Sequence, residues 1–251
     1  MVTTEAPQPR WTTPDWSAPA RVRAISTLRT GGVSVETYHS LNLGSHVGDA
    51  PAAVAENRRR LCAAVPLPAE PCWLEQVHGA RVANLDLGHG GACDAALTRT
   101  VGPICAILTA DCLPVLFAAA DGSLVAAAHA GWRGLAAGVL PATVAALATD
   151  PTRVLAWIGP AIGPAHYEVG DEVRDAMLGV DAGAEAAFHR NARGRYLADL
   201  PLLARRQLQI AGIGRISGGE ACTYGDPGRY FSHRRDGRTG RQATLIWLEP
   251  A

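Results

Sequence analysis

Short apolar runs, separated by glycine and polar residues, dominate the chain. Runs of roughly four to eight apolar residues bounded by turn residues are typical of buried β-strands. On this basis we predict strands at 22–28, 72–77, 103–108, 113–118, 124–128, 153–158 and 243–248.

Other stretches repeat apolar residues at the three- and four-residue spacing of a helix, which predicts helices at 52–64, 137–148, 170–178 and 199–211. Several predicted strands follow one another too closely to leave room for a crossover helix. Short connections suit antiparallel neighbours, whereas a doubly wound parallel sheet needs long ones. The predicted fold class is therefore α+β with mixed sheets.

Residues 1–20 differ in composition from the rest of the chain. They are rich in proline and threonine and carry Trp11 and Trp16. We interpret them as a loose N-terminal arm whose tryptophans dock on the body of the protein. Residues 21–251 are long enough to form one domain with a full core.

The predicted strand at 124–128 ends in His129, and a Gly-Trp-Arg-Gly turn leads into a helical stretch. A sharp strand-to-helix turn directs backbone N–H groups and the positive end of the helix dipole at a ligand above it, which suits an anion. Gly131 and Arg133 are therefore candidate anion-binding residues.

Three potential metal ligands, His78, Cys112 and His129, each lie where an apolar run meets a glycine or polar turn. Two imidazoles and one thiolate suit zinc, and three protein ligands leave a fourth position open, as in catalytic sites. Asp94 and Asp111 are candidates to orient an imidazole or to carry protons. The spacing alone does not establish a metal site, because separations of 34 and 17 residues match no local zinc finger. The alternative is that the histidines are ordinary polar residues and the cysteine fills the core.

Composition narrows the chemistry further. All 23 basic residues are arginine, so a lysine Schiff base and a Walker A lysine are excluded. The balanced charge and a pI near 7.1 argue against nucleic acid as a partner. The sequence contains neither a long apolar segment nor a secretory signal, so we expect a cytoplasmic protein that does not associate with membranes and whose six cysteines are reduced.

Several longer motifs resemble those of one family. Among them are WLEQVHG from Trp73, TADCLPVLF from Thr109, HAGWRG from His129 and FSHRRDGRTGR from Phe231. Together with other matching stretches after Val22, they resemble the bacterial YfiH (DUF152) family, whose members are variously named polyphenol oxidase, purine nucleoside phosphorylase and peptidoglycan editing factor. The resemblance implies a central β-sandwich flanked by helices, and it places zinc ligands on His78, Cys112 and His129.

The same resemblance implies phosphorolysis of adenosine, inosine, guanosine and methylthioadenosine to the base and a ribose 1-phosphate, together with deamination of adenosine. We expect phosphate at Gly131 and Arg133, with Arg29 and Asn42 as further candidates for phosphate or ribose. Asp111 is the candidate proton donor for departing ammonia. Trp132 is expected to pack as a hydrophobe. Residues 233–235 could bind phosphate or be solvated, and solvation is the favoured expectation.

Two other functions remain open. Cys112 could be a nucleophile with His129 as its base, in a hydrolase that edits a cell-wall precursor such as a UDP-linked muramyl amino acid. A copper oxidase is disfavoured, because such centres need many imidazoles, usually in His-x-His pairs, and this chain has eight histidines and no such pair. One His-Cys-His site could still take copper instead of zinc. The oligomeric state is left undetermined.

Overall fold

Most of the predicted strands form two β-sheets in a computed structural model, which describes residues 8–88 and 91–250. The first sheet has the strand order β1-β2-β14-β6-β3, the second has the order β13-β9-β7-β8-β5-β4, and a small third sheet has the order β10-β12-β11. The strands are β1 Trp11–Thr12, β2 Val22–Thr27, β3 Cys72–Trp73, β4 Val82–Asn84, β5 Ala95–Thr98, β6 Cys105–Thr109, β7 Leu113–Ala119, β8 Val125–Ala130, β9 Val154–Ile158, β10 Glu168–Val169, β11 Phe188–Arg190, β12 Tyr196–Ala198, β13 Arg215–Gly218 and β14 Gln242–Leu248.

The two large sheets pack face to face through an apolar interior. Ile107 and Ile246 of the first sheet meet Leu116 and Val125 of the second in one buried cluster. Both sheets are mixed, because β3 runs parallel to β6 and β13 parallel to β9, whereas their central strands are antiparallel. The predicted mixed sheets and β-sandwich are confirmed.

Helices cover the outer faces of the sandwich. Leu61 of the first helix packs on Leu245, and Leu140 and Leu203 pack on the side of Phe117. The order of layers is therefore helix, sheet, sheet, helices, as the family resemblance implied. The helices are α1 Pro51–Ala64, α2 Trp132–Ala136, α3 Val139–Ala146, α4 Asp171–Val180, α5 Leu200–Ile210 and α6 His233–Asp236.

Three predicted boundaries are wrong. The single helix predicted after the turn is two helices, because Gly138 adopts a left-handed conformation (φ 82°) between α2 and α3. The predicted strand at 72–77 pairs only at its first two residues, and the rest is a loop. Strand β8 continues to Ala130, two residues beyond the predicted end, so His129 lies inside the strand next to its last residue.

Part of the predicted arm lies outside the described residues, namely 1–7. Trp11 belongs to strand β1, which pairs with β2, and Trp16 packs against the core between the sheets. The tryptophans therefore contact the body, while the division into an arm and one domain stays a prediction. In the described residues no helix is both long enough and apolar enough to cross a membrane.

Candidate metal centre

His78, Cys112 and His129 converge at one end of the sandwich. One ligand atom from each lies within 4.8 Å of the other two, and His78 Nε2 is 4.0 Å from Cys112 Sγ. The ring centroids of the two histidines are 4.7 Å apart. The predicted convergence is confirmed.

The topology explains why these three residues meet. His78 lies on the connection from β3 to β4, and Cys112 lies on the connection from β6 to β7. Both connections cross from the first sheet to the second. Because β3 and β6 are parallel neighbours, both connections start at the same end of the first sheet. The pairing of Leu113 with Ala130 then brings Cys112 beside the end of β8, which carries His129.

Asp94 forms hydrogen bonds with two of the candidate ligand residues, His78 and His129. Its carboxylate is fully buried and accepts a hydrogen bond from His129 Nδ1 at 2.8 Å. It also accepts hydrogen bonds from the backbone N–H groups of Val77, His78 and Gly79 at 2.7–3.1 Å. Because Nδ1 of His129 is engaged, its Nε2 is left for a metal ion. The backbone bonds fix His78 in a left-handed conformation (φ 61°).

Gly131 supplies space for the thiol. A Cβ atom at this position would lie 2.7 Å from Cys112 Sγ and 3.3 Å from His78 Cδ2. A side chain there would therefore displace the ligands. The helix that follows, α2, is only five residues long, so its dipole is weaker than that of the long helix predicted from the sequence.

The charges at the site favour a thiolate. Burial raises the pKa of the Cys112 thiol, but hydrogen bonds and charge from His129 and His78 outweigh it and lower the pKa to about 6. Burial lowers the pKa of His129, whereas its hydrogen bonds to Asp94 and Cys112 raise it by more. The thiolate is the form of cysteine that binds metals.

The three ligands line a cavity of about 490 Å³. Its wall is rich in cationic and imidazole side chains, and Asp111 is the one carboxylate among the described lining residues. Sequence reasoning placed Arg133 there but missed several other charged or ionisable members of the wall, which are His46, His233, Arg234 and Arg241.

Asp111 lies beside the cavity but points its oxygens into the protein. Oδ1 accepts a hydrogen bond from Thr223 Oγ1 at 2.6 Å, and Oδ2 accepts one from the backbone N–H of Arg234 at 2.7 Å. Its backbone carbonyl accepts a hydrogen bond from Ile162. Asp111 therefore joins three segments of the cavity wall. Its role as a proton donor stays a prediction.

Arg133 is exposed at the cavity, and its guanidinium lies 4.4 Å from the ring centroid of Trp132. Among the described residues it has no hydrogen-bond or carboxylate partner, so it is free to meet a ligand. Trp132 is half-buried and packs against the core, which agrees with its interpretation as a packed hydrophobe.

Arg29 and Asn42 do not line the cavity. The guanidinium of Arg29 donates to the backbone carbonyls of His39 and Pro227 at 3.0 and 3.1 Å. Asn42 is fully buried and accepts a hydrogen bond from the backbone N–H of Arg241 at 2.9 Å. Their placement lends no support to direct contact with phosphate or ribose, although Asn42 acts on the wall indirectly through Arg241.

Residues 233–235 are solvated only in part: His233 and Arg234 are exposed, as expected, whereas Arg235 is half-buried. Arg235 donates to the carbonyls of Thr223, Tyr224 and Tyr230 at 2.7–3.0 Å. Arg234 donates to the carbonyl of Glu168 and lies over the ring of Tyr167. Arg235 thus supplies donors to partly buried carbonyls.

A comparison with known families matches residues 23–249 to the family described as multi-copper polyphenol oxidoreductase laccase. The chain is 54% identical over 238 residues to a protein of Escherichia coli named purine nucleoside phosphorylase YfiH, covering 94% of this chain and 97% of that one. The chain belongs to the YfiH family. A similarly named protein of Pseudomonas aeruginosa is 52% identical over 240 residues, which cover 95% of this chain and 98% of the relative.

Two solved structures have the same fold as this chain. The Neisseria meningitidis protein NMB0706, described as a DUF152 protein, superposes with a TM-score of 0.91 at 48% identity, covering 96% of this chain and 99% of that one. YfiH of Bacillus licheniformis superposes with a TM-score of 0.87 at 33% identity, covering 91% and 93% of the two chains. The helix-flanked sandwich is thus shared across the YfiH family.

Proposed function

We propose that this YfiH protein is a metal-dependent purine nucleoside phosphorylase acting on adenosine, inosine, guanosine and methylthioadenosine. The observation that carries the proposal is the convergence of His78, Cys112 and His129 in a cavity lined by arginines. The names of relatives that are about half identical over nearly the whole chain support the same activity.

The residues fit a zinc ion. Two imidazoles and a thiolate form a donor set that zinc favours, and Asp94 fixes one imidazole by its second nitrogen, as is usual for metal-bound histidine. A bound zinc ion would supply Lewis acidity beside the substrate through its open fourth position. Copper fits the same donors and is the alternative metal.

Phosphorolysis makes one bond and breaks another. A phosphate oxygen forms the new bond to C1′ of the ribose while the bond from C1′ to the purine nitrogen breaks. The electron pair of that bond stays with the purine, which takes up a proton, and ribose 1-phosphate is released. The sugar becomes positively charged during this exchange, so the enzyme must hold an anion against it.

The chain's own residues meet these needs. Arginine side chains in the wall attract and orient phosphate, because a guanidinium binds its oxygens in pairs. Leu108, Ile162 and the ring of Trp132 add apolar surface that reduces access of water. Gly131 and Arg133 remain proposed substrate contacts on the wall beside the ligands.

Deamination of adenosine is a second proposed activity of the same cavity. An oxygen from water bonds to the purine carbon that carries the amino group, and the bond from that carbon to nitrogen breaks. The departing ammonia needs a proton, and Asp111 is the proposed carrier because it is the carboxylate beside Cys112. Partners are therefore purine nucleosides and phosphate, without nucleic acid or membrane. A cytoplasmic location is proposed with them, and the six free cysteines agree with it.

The test is turnover of a nucleoside panel with and without phosphate, on enzyme whose metal content is measured. We expect base release to require phosphate, to stop when a chelator removes the metal and to return when zinc is added. Release of base without phosphate, or full activity in metal-free enzyme, would contradict the proposal.

A second candidate is a cysteine hydrolase that edits peptidoglycan precursors. It is favoured by the chain of contacts from Cys112 to His129 to Asp94, which resembles a nucleophile, base and orienting acid. In that case metal-free enzyme should hydrolyse a UDP-linked muramyl amino acid, and a thiol alkylator should block it with a covalent adduct on Cys112. Loss of that activity on chelation would exclude the nucleophile mechanism.

A further inference from the structure

Arg241 is anchored by only part of its guanidinium. Its Nη1 donates to the backbone carbonyls of Thr239 and Gly240, both at 3.0 Å. Its Nε and Nη2 atoms have no hydrogen-bond partner among residues 8–88 and 91–250. No carboxylate of those residues lies within 4.0 Å of the group. The pair of donors that binds an oxyanion side-on is therefore free.

The rest of Arg241 is held firmly. Its backbone N–H donates to the buried side chain of Asn42, and its stem lies against Gly44, where an added Cβ would be 2.8 Å from Arg241 Cγ. A guanidinium held in this way loses little freedom when it binds a ligand. The site is thus preorganised.

Arg241 also faces the reaction centre, because it lines the same cavity as the three metal ligands. Burial lowers its pKa, and the negative charges of Cys112 and Asp111 oppose that shift. A half-buried cation without a direct anionic partner is costly, and a bound anion offsets that cost.

His46 shares this part of the cavity wall. His46 follows by two residues Gly44, against which the stem of Arg241 lies, and the backbone N–H of Leu43 donates to the carbonyl of Arg241 at 3.1 Å. Burial lowers the pKa of His46, and the positive charges of Arg241 and Arg58 lower it further. A neutral imidazole provides one additional N–H donor to an anion.

The other two arginines of the cavity are different. Arg234 already donates to the carbonyl of Glu168 and stacks on Tyr167. Arg133 is exposed and lies over the ring of Trp132, and within residues 8–88 and 91–250 its guanidinium has no hydrogen-bond or carboxylate partner to hold it in place. Arg241 is the one that combines anchoring, burial and a free pair of donors.

We propose that Arg241, with His46 beside it, forms the subsite for inorganic phosphate in this cavity. The proposal rests on the phosphorylase function and deepens it, because it moves the phosphate away from the turn at Gly131 and Arg133. The nucleoside then occupies the part of the cavity near Trp132 and Tyr167.

The test compares Arg241→Gln with Arg133→Gln, and uses Arg153→Gln as a matched control. Arg153 is exposed on the surface, where it pairs with Asp121 at 3.6 Å. Two quantities are measured on metal-loaded protein: the KM for phosphate at saturating inosine, and the affinity for inorganic phosphate alone by calorimetry.

We expect Arg241→Gln to weaken phosphate in both measurements by about 10- to 100-fold, since a charge-assisted pair of hydrogen bonds is lost. The KM for inosine and the metal content should change less than about twofold, because residues that do not contact each other affect each other's interactions only slightly. Arg153→Gln should match the parent protein. Phosphate affinity unchanged in Arg241→Gln, or lost in Arg133→Gln instead, would overturn the proposal.

Two further measurements keep the result decisive. If Arg241→Gln fails to fold, Arg241→Lys keeps the charge and stem but cannot bind an anion with two paired donors, so a weakened phosphate affinity is still expected. If no nucleoside is phosphorolysed but phosphate binds the parent protein and not the Arg241 variant, the phosphorylase function fails and the anion subsite stands.

Discussion

Two buried aspartates border the metal ligands, and the protein uses them differently. Asp94 accepts four hydrogen bonds, one from the ring of His129 and three from the backbone around His78. Asp111 accepts two, from Thr223 and from the backbone of Arg234, and neither donor is a ligand. Both carboxylates are nearly or fully buried, so burial and proximity to the site do not distinguish their roles.

The difference lies in what each carboxylate orients. Asp94 couples two candidate ligands to one rigid group, so it controls how they are oriented. Asp111 joins loops of the cavity wall, so it controls the shape of the cavity beside them. A buried acid near a reactive centre therefore has to be assigned by its donors and not by its distance.

Asp94→Asn gives the largest expected effect. An amide cannot accept from all four donors, and its NH2 group opposes at least one of them. Metal affinity should fall by about 10- to 100-fold, as is typical when a group behind a ligand is lost. Zinc titration against a competing chelator measures it, with Asp111→Asn as the matched control. Equal affinities in the two variants would erase the contrast between the aspartates.

Gly131→Ala tests how tightly the candidate ligands are packed, because the added methyl group would press on the Cys112 thiol. The added Cβ would lie 2.7 Å from Cys112 Sγ, so the thiol must shift from its position beside His78. We expect a loss of about 1–3 kcal/mol in unfolding free energy or in metal binding. Thermal unfolding of metal-free and metal-loaded protein separates the two, and Gly179→Ala is the control because a Cβ there meets nothing within 4 Å. Unchanged metal affinity in Gly131→Ala would show that the thiol is free to move.

Asp111→Asn should have the smallest effect on stability, about 1 kcal/mol, because one of its two hydrogen bonds can persist. Metal content should be unchanged. A fall in deamination with phosphorolysis retained would support Asp111 as a proton carrier, whereas equal falls in both would indicate a role only in shaping the wall. Initial rates of ammonia and base release, measured on the same preparation, decide between them.

The fold was largely predictable because its signals are local. Strands such as 113–118 are continuous apolar runs, and an amphipathic stretch predicted helix α1. The break at Gly138 was missed, because one glycine within a helical pattern does not by itself reveal a left-handed conformation. The loop after Trp73 was missed because its residues resemble a strand, whereas strand β3 ends at Trp73 and the side chain of Gln76, not its backbone, bonds to the backbone of Leu108.

The site was predictable only in part. His78, Cys112 and His129 stood out as metal-binding residue types at the ends of apolar runs, and the family resemblance selected them. Arg241 and His46 lie in polar loops where arginine and histidine are ordinary, so no local signal separated them from solvated residues. Arg29 looked available to a ligand in the sequence, but its guanidinium is occupied by the carbonyls of His39 and Pro227, and such distant partners cannot be predicted from the local sequence.

The order of apolar and polar residues by itself determined the α+β class with mixed sheets, whereas the helix-covered sandwich was implied by the family resemblance. The absence of lysine left arginine as the permanently cationic side chain available to an anion. Only the tertiary structure decided which arginine keeps a free pair of donors and which aspartate holds the ligands. The physical reason is range. Burial patterns act between near neighbours in the chain, whereas the hydrogen-bond partners of a long or buried polar side chain are chosen after distant segments have packed.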